Sequence, residues 1–190
     1  MKLKYVRRKH MKVILKKEKR TIPTYVPGKA EELPMFFENR PYQGASGKVY
    51  PIPYSDSVSD TCEDVKYDVY TLENEYVKTD VLPEIGGKIL RGYDKIGSYD
   101  FIYYNEVIKP ALVGLAGPWI SGGIEFNWPQ HHRPTTYMPL EASVEEGTDG
   151  SKTVWVGEVE PMNRMKGMAG ITVCPGRSCQ GSGEGTGSSP

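Results

Sequence analysis

The sequence has no apolar run long enough to cross a membrane, and its most apolar stretch, at residues 111–116, is interrupted by Gly114. No apolar segment follows the basic N-terminus, as a secretory signal peptide would require. The mean hydropathy of −0.50 over 190 residues is typical of a water-soluble chain of one-domain size. We therefore predict a soluble protein without membrane contact.

Cysteine is also scarce, with only Cys62, Cys174 and Cys179 in the chain. The last two are spaced C-x4-C, without a second cysteine pair or a nearby histidine, so the spacing does not indicate a zinc site. We predict no metal and no cofactor. An odd number of cysteines without a signal peptide favours reduced thiols and a cytoplasmic protein.

The net charge of the chain is zero, but its basic and acidic residues are unevenly distributed. Residues 1–20 contain ten basic residues and one acidic residue, a net charge of +9 that the rest of the chain balances. A basic arm of this kind can bind nucleic acid or anionic lipid. We favour a solvated N-terminal arm or a first strand, because residues 12–20 alternate weakly, and we expect no nucleic-acid partner.

Helical patterns are almost missing. Residues 21–54 contain so many prolines and glycines that helix is excluded, and they read as an extended arm with short strands and turns. Residues 105–115 look faintly helical, but Pro110 and Gly114 count against a helix.

Strand patterns, in contrast, are clear from residue 65 to residue 173. The segments VKYDVYTL and YVKTDVLP alternate apolar and polar residues on either side of a turn at residues 73–75, and KILRGYD follows Gly86 and Gly87. TVWVGEVE and MAGITV are two later strands, and residues 148–150 form a hairpin turn. These patterns predict an all-β antiparallel sandwich.

The C-terminus contains no large apolar residue. Residues 179–190 are rich in glycine and serine, so they cannot bury enough surface to fold, and we predict a disordered tail. The strand pattern stops just before this tail, which predicts an incomplete sandwich with open strand edges.

The richest part of the sequence is GPWISGGIEFNWPQHHRP at residues 117–134, here called the tryptophan loop. Its glycines and prolines predict a shaped loop rather than a strand or helix. Sugars suit such a mixture, since their C–H faces stack on indoles and their hydroxyls bind amide, carboxylate and imidazole groups. The candidate site residues are Trp119, Glu125, Asn127, Trp128, Gln130, His131, His132 and Arg133.

Glu125 is the candidate general acid or base. Alternation places it opposite Ile124 and Phe126, and a carboxyl beside two tryptophans is a candidate for a raised pKa. The alternative is a structural carboxylate, solvated or paired with Arg133. A glycoside hydrolase needs two carboxylates at a defined separation, and the sequence indicates no second one.

His131 and His132 are adjacent, so in extended backbone they point to opposite faces and do not chelate one metal together. One of them is a candidate catalytic or hydrogen-bonding group in the sugar site, and the other is expected to pack. Trp119 and Trp128 are candidates for stacking on sugar rings, with a core position as the alternative for either.

Five stretches of the chain resemble the N-terminal part of the DUF5107 family of bacterial proteins, whose function is uncharacterised. They span residues 21–178 and read TIPTYVPG, PYQGASGKVYPIP, LENEYVKTDVLPEIGGKILRGYDK, YNEVIKPALVGLAGPWISGGIEFNWPQHHRPTTYMP and DGSKTVWVGEVEPMNRMKGMAGITVCPGRS. Members of that family often carry tetratricopeptide-type repeats further along. The resemblance therefore implies a partial DUF5107 domain over residues 21–178.

The family is in turn similar to the galactose mutarotase-like group, a large antiparallel supersandwich whose members bind sugars. The resemblance implies a saccharide ligand and, if the full-length relative is an enzyme, a glycosidase or epimerase type of reaction. The alternative is a non-catalytic scaffold domain in a repeat-containing protein.

Overall fold

The structure, a computed structural model, describes residues 12–28, 58–112, 118–127, 137–160 and 164–176. These residues form ten β-strands and contain no helix, so the prediction of an all-β antiparallel fold is confirmed. The strands are β1 Ile14–Tyr25, β2 Cys62–Glu73, β3 Val77–Leu82, β4 Lys88–Asp94, β5 Tyr99–Asp100, β6 Pro110–Leu112, β7 Pro118–Ile120, β8 Glu141–Glu146, β9 Lys152–Glu160 and β10 Met165–Val173.

The first five strands form one antiparallel sheet in the order β1-β2-β3-β4-β5. Tyr67 and Val69 are buried on one face of β2, as the period-2 pattern predicts. Gly86 and Gly87 turn the chain between β3 and β4 with φ values of 61° and 68°, a conformation that suits glycine.

Strand β1 is longer than the weak alternation of residues 12–20 indicates. It continues through Pro23 to Tyr25 and pairs with β2 along its whole length. Pro23 is tolerated because β1 lies at the edge of the sheet, where a missing amide hydrogen costs no ladder bond. The first part of the proline-rich arm therefore belongs to the sheet.

Strands β8, β9 and β10 form a second antiparallel sheet in the order β10-β9-β8. The predicted turn between β8 and β9 is present, with Gly150 at φ 82°. Val154 and Val156 of β9 are buried, whereas Trp155 between them faces away from the core. A third, two-stranded sheet pairs β6 with β7.

The two larger sheets share one hydrophobic core, which gives the fold its sandwich character. Buried residues from β2 and β3 meet those of β9 and β10 in a cluster formed by Val13, Leu72, Val81, Leu140, Val154, Val156, Ile171 and Val173. A second cluster covers the β6–β7 side with Ile22, Tyr67, Val69, Leu82, Ile85, Leu90, Ile108 and Ile120.

The side chain of Asn74 links the β2–β3 turn to the end of β10 through hydrogen bonds. Its Oδ1 accepts hydrogen bonds from the amides of Tyr76 and Val77, at 2.7 and 2.8 Å. Its Nδ2 donates to the carbonyl oxygens of Cys174 and Gly176, at 2.9 and 3.0 Å. The turn predicted at residues 73–75 thus also joins the two sheets.

Cys174 takes part in a disulfide bond, so the prediction that the cysteines are reduced thiols is wrong for this residue. The burial of Cys174 at the end of β10 shields it from solvent. Cys62 is a free, exposed thiol.

Several predictions concern residues outside the described ranges. They include the basic residues 1–11, the tail at residues 179–190 and most of the proline-rich arm. Over the described residues, no helix has the length and apolar character needed to span a bilayer.

Candidate functional site

The described part of the tryptophan loop bonds to β4, and the chain just beyond the loop bonds to the β3–β4 connection. Within the loop, Ile124 and Ile89 exchange two backbone hydrogen bonds of 2.9 and 3.0 Å. Beyond the loop, the amide of Gly86 donates to Met138 O and the amide of Leu140 donates to Pro83 O, both at 2.9 Å. Residues 83–89 therefore contact both the loop and the segment that follows it.

Gly122 and Gly123 allow this attachment. Both have positive φ values, 81° and 69°, and the Gly123 amide donates to Tyr103 O at 2.8 Å. A Cβ atom on Gly123 would collide with the carbonyl oxygen of Ile89, so no other residue fits without displacing the loop. The sequence-based expectation of tight backbone turning at these glycines is confirmed.

Lys88, the first residue of β4, lies beneath the loop and is only 3% exposed. Its Nζ donates a hydrogen bond to Ile120 O at 2.8 Å, which holds the end of β7. Burial lowers the pKa of Lys88, and the negative charge of Glu125 acts in the opposite direction. A buried cation and the candidate catalytic carboxylate thus act on each other within the site.

Glu125 is partly buried. Its two apolar neighbours are not buried equally, since Phe126 packs against the hydrophobic core whereas Ile124 is 42% exposed. The Ile89–Ile124 bridge is a single residue pair. Regular strand alternation is therefore not maintained here. Of the two apolar neighbours that were expected to lie opposite Glu125, only Phe126 packs against the core.

Trp119 lies in β7 opposite Ala111 of β6 and is partly buried, while Asn127 is exposed. The prediction that residues 117–134 form no strand is therefore wrong at Pro118–Ile120, which pairs with β6. The remaining candidate residues, Trp128, Gln130, His131, His132 and Arg133, lie outside the described residues. The prediction that all of them line one surface with Glu125 remains a prediction.

The sequence reasoning missed two residues at the base of the loop. Lys88 shares a face of β4 with the buried Leu90, and this period-2 relation was a signal that a lysine is turned inward. Tyr103 is 71% exposed and accepts the Gly123 amide through its backbone, which places an exposed aromatic residue next to the loop. No sequence signal relates Tyr103 to Gly123.

A metal centre is not indicated by the described part of the chain, where no group of three or more histidine, cysteine, aspartate or glutamate residues is arranged to hold an ion. The arrangement at the loop instead combines a carboxylate, an inward lysine and aromatic residues. Its chemistry suits hydrogen bonding, stacking and proton transfer.

Among solved structures, the chain resembles a TPR-domain-containing protein from Parabacteroides distasonis ATCC 8503, with a TM-score of 0.73 and 24% sequence identity. The match covers 87% of this chain but 28% of that one, so the chain spans less than a third of that protein's length. At this identity the likeness shows the fold alone.

A family model described as "Domain of unknown function (DUF5107)" matches residues 45–179. This range includes strands β2 to β10, the segment at residues 83–89 and the entire tryptophan loop. The match agrees with the stretches on which the sequence-based resemblance was built. The chain belongs to the DUF5107 family.

Proposed function

We propose that this chain is the carbohydrate-binding or carbohydrate-processing sandwich domain of a DUF5107 protein, and that the tryptophan loop forms its site. The observation that carries the proposal is the pair of hydrogen bonds between Ile124 of the loop and Ile89, together with the bonds of Met138 and Leu140, just beyond the loop, to residues 83–86. Side chains on a segment attached in this way can bind a ligand without a large ordering cost.

The polar groups at the base of the loop support a sugar ligand. Glu125 supplies a carboxylate that can accept hydroxyl hydrogen bonds or transfer a proton. The negative charge of Glu125 favours the ammonium form of Lys88, which donates a hydrogen bond to the Ile120 carbonyl oxygen. Trp119 and Tyr103 contribute aromatic surface on which a pyranose ring can stack.

The proposal extends to the residues beyond the described ranges. His131 or His132 would supply a second proton donor, and Trp128, Gln130 and Arg133 would contact the sugar. The sandwich would then belong to the galactose mutarotase-like group, with residues 21–178 as part of it. A glycosidase or epimerase reaction would require groups in the full-length protein, of which this chain supplies the Glu125 side.

A non-catalytic scaffold is the second candidate function. It is favoured by the likeness to a TPR-domain-containing protein, of which this chain covers only 28%. On this proposal the sandwich would dock against a repeat region, and Glu125 would be a structural carboxylate.

Localisation is likewise a proposal. The cytoplasmic assignment rested partly on reduced cysteines, and the disulfide of Cys174 removes that support. Alkylation of the protein inside intact cells, followed by mass spectrometry, would measure whether this disulfide exists there. A reduced Cys174 would favour the cytoplasm, and an oxidised one an oxidising compartment.

The sugar proposal is tested by titrating the chain with mono- and oligosaccharides and measuring heat of binding. We expect Glu125→Gln to weaken binding at least about tenfold, a loss of about 1.4 kcal/mol. This variant keeps the shape of the side chain and removes its charge. Glu106→Gln, an exposed carboxylate in the same region, is the control and should bind normally.

Unchanged binding by Glu125→Gln would contradict the proposed role of Glu125. Absence of binding by the parent chain, together with binding of a separately expressed TPR segment from the same protein, would favour the scaffold function. A Glu125→Gln variant that fails to fold would identify Glu125 as a structural residue.

A further inference from the structure

The second sheet has an outward face that the tryptophan loop does not use. Val154 and Val156 of β9 point into the core, so Trp155, Gly157 and Val159 point outward. Val159 is 64% exposed, and Met168 on the neighbouring strand is 53% exposed. This face is therefore open to solvent.

A groove lies on this face, with Gly157 in its lining. Gly157 lies between Glu141 of β8 and Met168 of β10 in the strand register. A Cβ atom on Gly157 would lie 2.5 Å from Gly167 O and 3.0 Å from Met168 Cγ, so β10 packs closely against this position. The groove has a volume of about 480 Å³, within the usual size range of small-ligand sites. Its lining includes Trp155, Glu141, Ser143, Val159, Lys166 and Met168.

Trp155 is held in a fixed position at one end of the groove. It faces Gly170 across the strand pair, and its ring occupies the space of the missing side chain, since a Cβ there would lie 2.7 Å from a ring carbon. Its Nε1 donates a hydrogen bond to Glu145 at 2.7 Å. The indole is therefore placed against the sheet before any ligand arrives, which lowers the entropic cost of stacking on it.

The groove is also lined by polar side chains. Glu141 and Ser143 lie on β8, Glu158 lies on β9, and Lys166 lies on β10. A carboxylate, a hydroxyl and an ammonium can bind sugar hydroxyls, while the indole receives the C–H face of a pyranose ring. Two carboxylates and one ammonium line the groove, so it does not favour an anionic ligand.

We infer that this groove is a second saccharide-binding site, which takes neutral oligosaccharides with Trp155 as its stacking platform. The site lies on a different sheet from the tryptophan loop. It shares the ligand class of the proposed function, but it does not depend on Glu125. A protein with two such sites would hold a polymeric sugar at a point away from the loop.

The chain contains only three tryptophans, Trp119, Trp128 and Trp155, so their indole N–H signals can be followed separately by nitrogen-15 NMR. Trp155→Phe assigns the signal of Trp155. The probes are cellohexaose, xylohexaose, mannohexaose and maltohexaose. We expect at least one of them to shift the Trp155 signal in a saturable manner, and Glu125→Gln to leave this shift intact.

Two further variants test the groove without removing its tryptophan. Glu141→Gln and Lys166→Met, both at exposed positions, should each weaken the Trp155-linked binding by about tenfold, as expected for the loss of one hydrogen bond to a charged group. Glu146→Gln, on the same strand but outside the groove, should bind as the parent does.

Three results would overturn the inference. The first is that none of the four probes shifts the Trp155 signal. The second is that only Trp119 and Trp128 respond, which would place sugar binding in the tryptophan loop alone and so uphold the proposed function. The third is a Trp155 shift that depends on protein concentration rather than on sugar, which would identify the face as a contact between copies.

Discussion

At the scale of single residues, three charged side chains are buried in the described part of the chain, Asp80, Lys88 and Glu160, and the first two have different kinds of hydrogen-bond partner. Asp80 is 1% exposed and receives hydrogen bonds from Arg20 at 2.7 Å and Thr71 at 2.6 Å. Lys88 is 3% exposed and donates to a backbone carbonyl. Asp80 therefore ties three strands together, whereas Lys88 supports the base of the candidate site.

Removing the Asp80 carboxylate should lower the free energy of unfolding substantially. Asp80→Ala leaves the half-buried guanidinium of Arg20 without its main partner, and breaking a buried pair in this way costs about 3–5 kcal/mol. Asp68→Ala is the matched control, because its lysine partners Lys17 and Lys19 are exposed, so its loss should change the free energy of unfolding much less. Urea denaturation measures both, and equal losses would show that Asp80 is not a structural centre.

Lys88→Met tests the buried ammonium through the pH dependence of stability. Burial lowers the folded-state pKa of Lys88 below 10.5, so between the two pKa values the unfolded chain binds a proton that the folded chain does not. Stability contributed by Lys88 therefore rises with pH through this window, by about 1.4 kcal/mol for each unit of pKa lowering. The free energy of unfolding of the parent, relative to Lys88→Met, should increase as pH approaches 10.5.

The exposed Lys66→Met variant controls for the loss of one positive charge. If its stability relative to the parent followed the same pH trend as Lys88→Met, the trend would come from net charge. A flat difference between the parent and Lys88→Met would show that the Lys88 ammonium is hydrated in the folded protein.

At the scale of strands and turns, the sequence pattern located the long elements well. The alternation around Tyr67 and Val69 predicts β2, and Gly86, Gly87 and Gly150 mark turns that the structure contains. These signals are local, because a half-buried strand shows its two faces within a few residues and a positive φ favours glycine.

The short strands were not predictable in this way. β6 and β7 have three residues each, and β6 begins at a proline, so neither shows a period. They form because tertiary contacts position them. One such contact is the hydrogen bond from Lys88 to Ile120 O at the end of β7. In the same way, Glu125 stood out within its loop, whereas Tyr103 became a site residue only through its bond to Gly123.

The Gly122–Gly123 turn should be the element most sensitive to a single added methyl group. Gly123→Ala requires an L-residue at φ 69° and forces its Cβ into the Ile89 carbonyl oxygen. The backbone conformation alone costs about 1–2 kcal/mol. We expect a larger total loss, and faster hydrogen exchange at the amides of Ile89 and Ile124, because their mutual bonds must open.

Gly150→Ala is the control for backbone strain. Gly150 has φ 82°, but the nearest atom to an added Cβ is 3.3 Å away on Pro175, so only the conformational cost should appear. Exchange at Ile89 and Ile124 should remain slow in this variant. Equal effects of the two substitutions would mean that the loop tolerates displacement from Ile89.

At the scale of the whole molecule, the two larger sheets are held together by one shared hydrophobic core and by a small number of side-chain hydrogen bonds. The core cluster draws residues from both sheets, and hydrophobic burial supplies most of its stabilisation. Such burial is not directional, so it does not by itself fix how the sheets are placed along each other. Asn74 supplies a directional contact, because one side chain bonds both its own turn and the end of β10.

Asn74→Ala should therefore destabilise the contact between the two larger sheets more than the loss of a typical polar side chain would. Asn74 is 5% exposed and makes four hydrogen bonds, two within the β2–β3 turn and two to the carbonyl oxygens of Cys174 and Gly176. At about 1 kcal/mol for each bond, we expect a loss of about 3–4 kcal/mol. Amides at the C-terminal end of β10 should exchange faster, while those in the centre of β2 stay protected.

Asn105→Ala provides the comparison, since among the described residues Asn105 bonds within its own region, to Ser121 at 3.2 Å and to the Val107 amide at 3.5 Å. It should cost about 1 kcal/mol or less and leave β10 protected. If Asn74→Ala increased hydrogen exchange in β2 and β10 together, the two sheets would unfold as one unit. Asn74 would then stabilise the whole sandwich rather than the contact between its sheets. Selective exposure of β10 would instead show that the second sheet can separate from the first, which would make the sheet interface the weakest part of this domain.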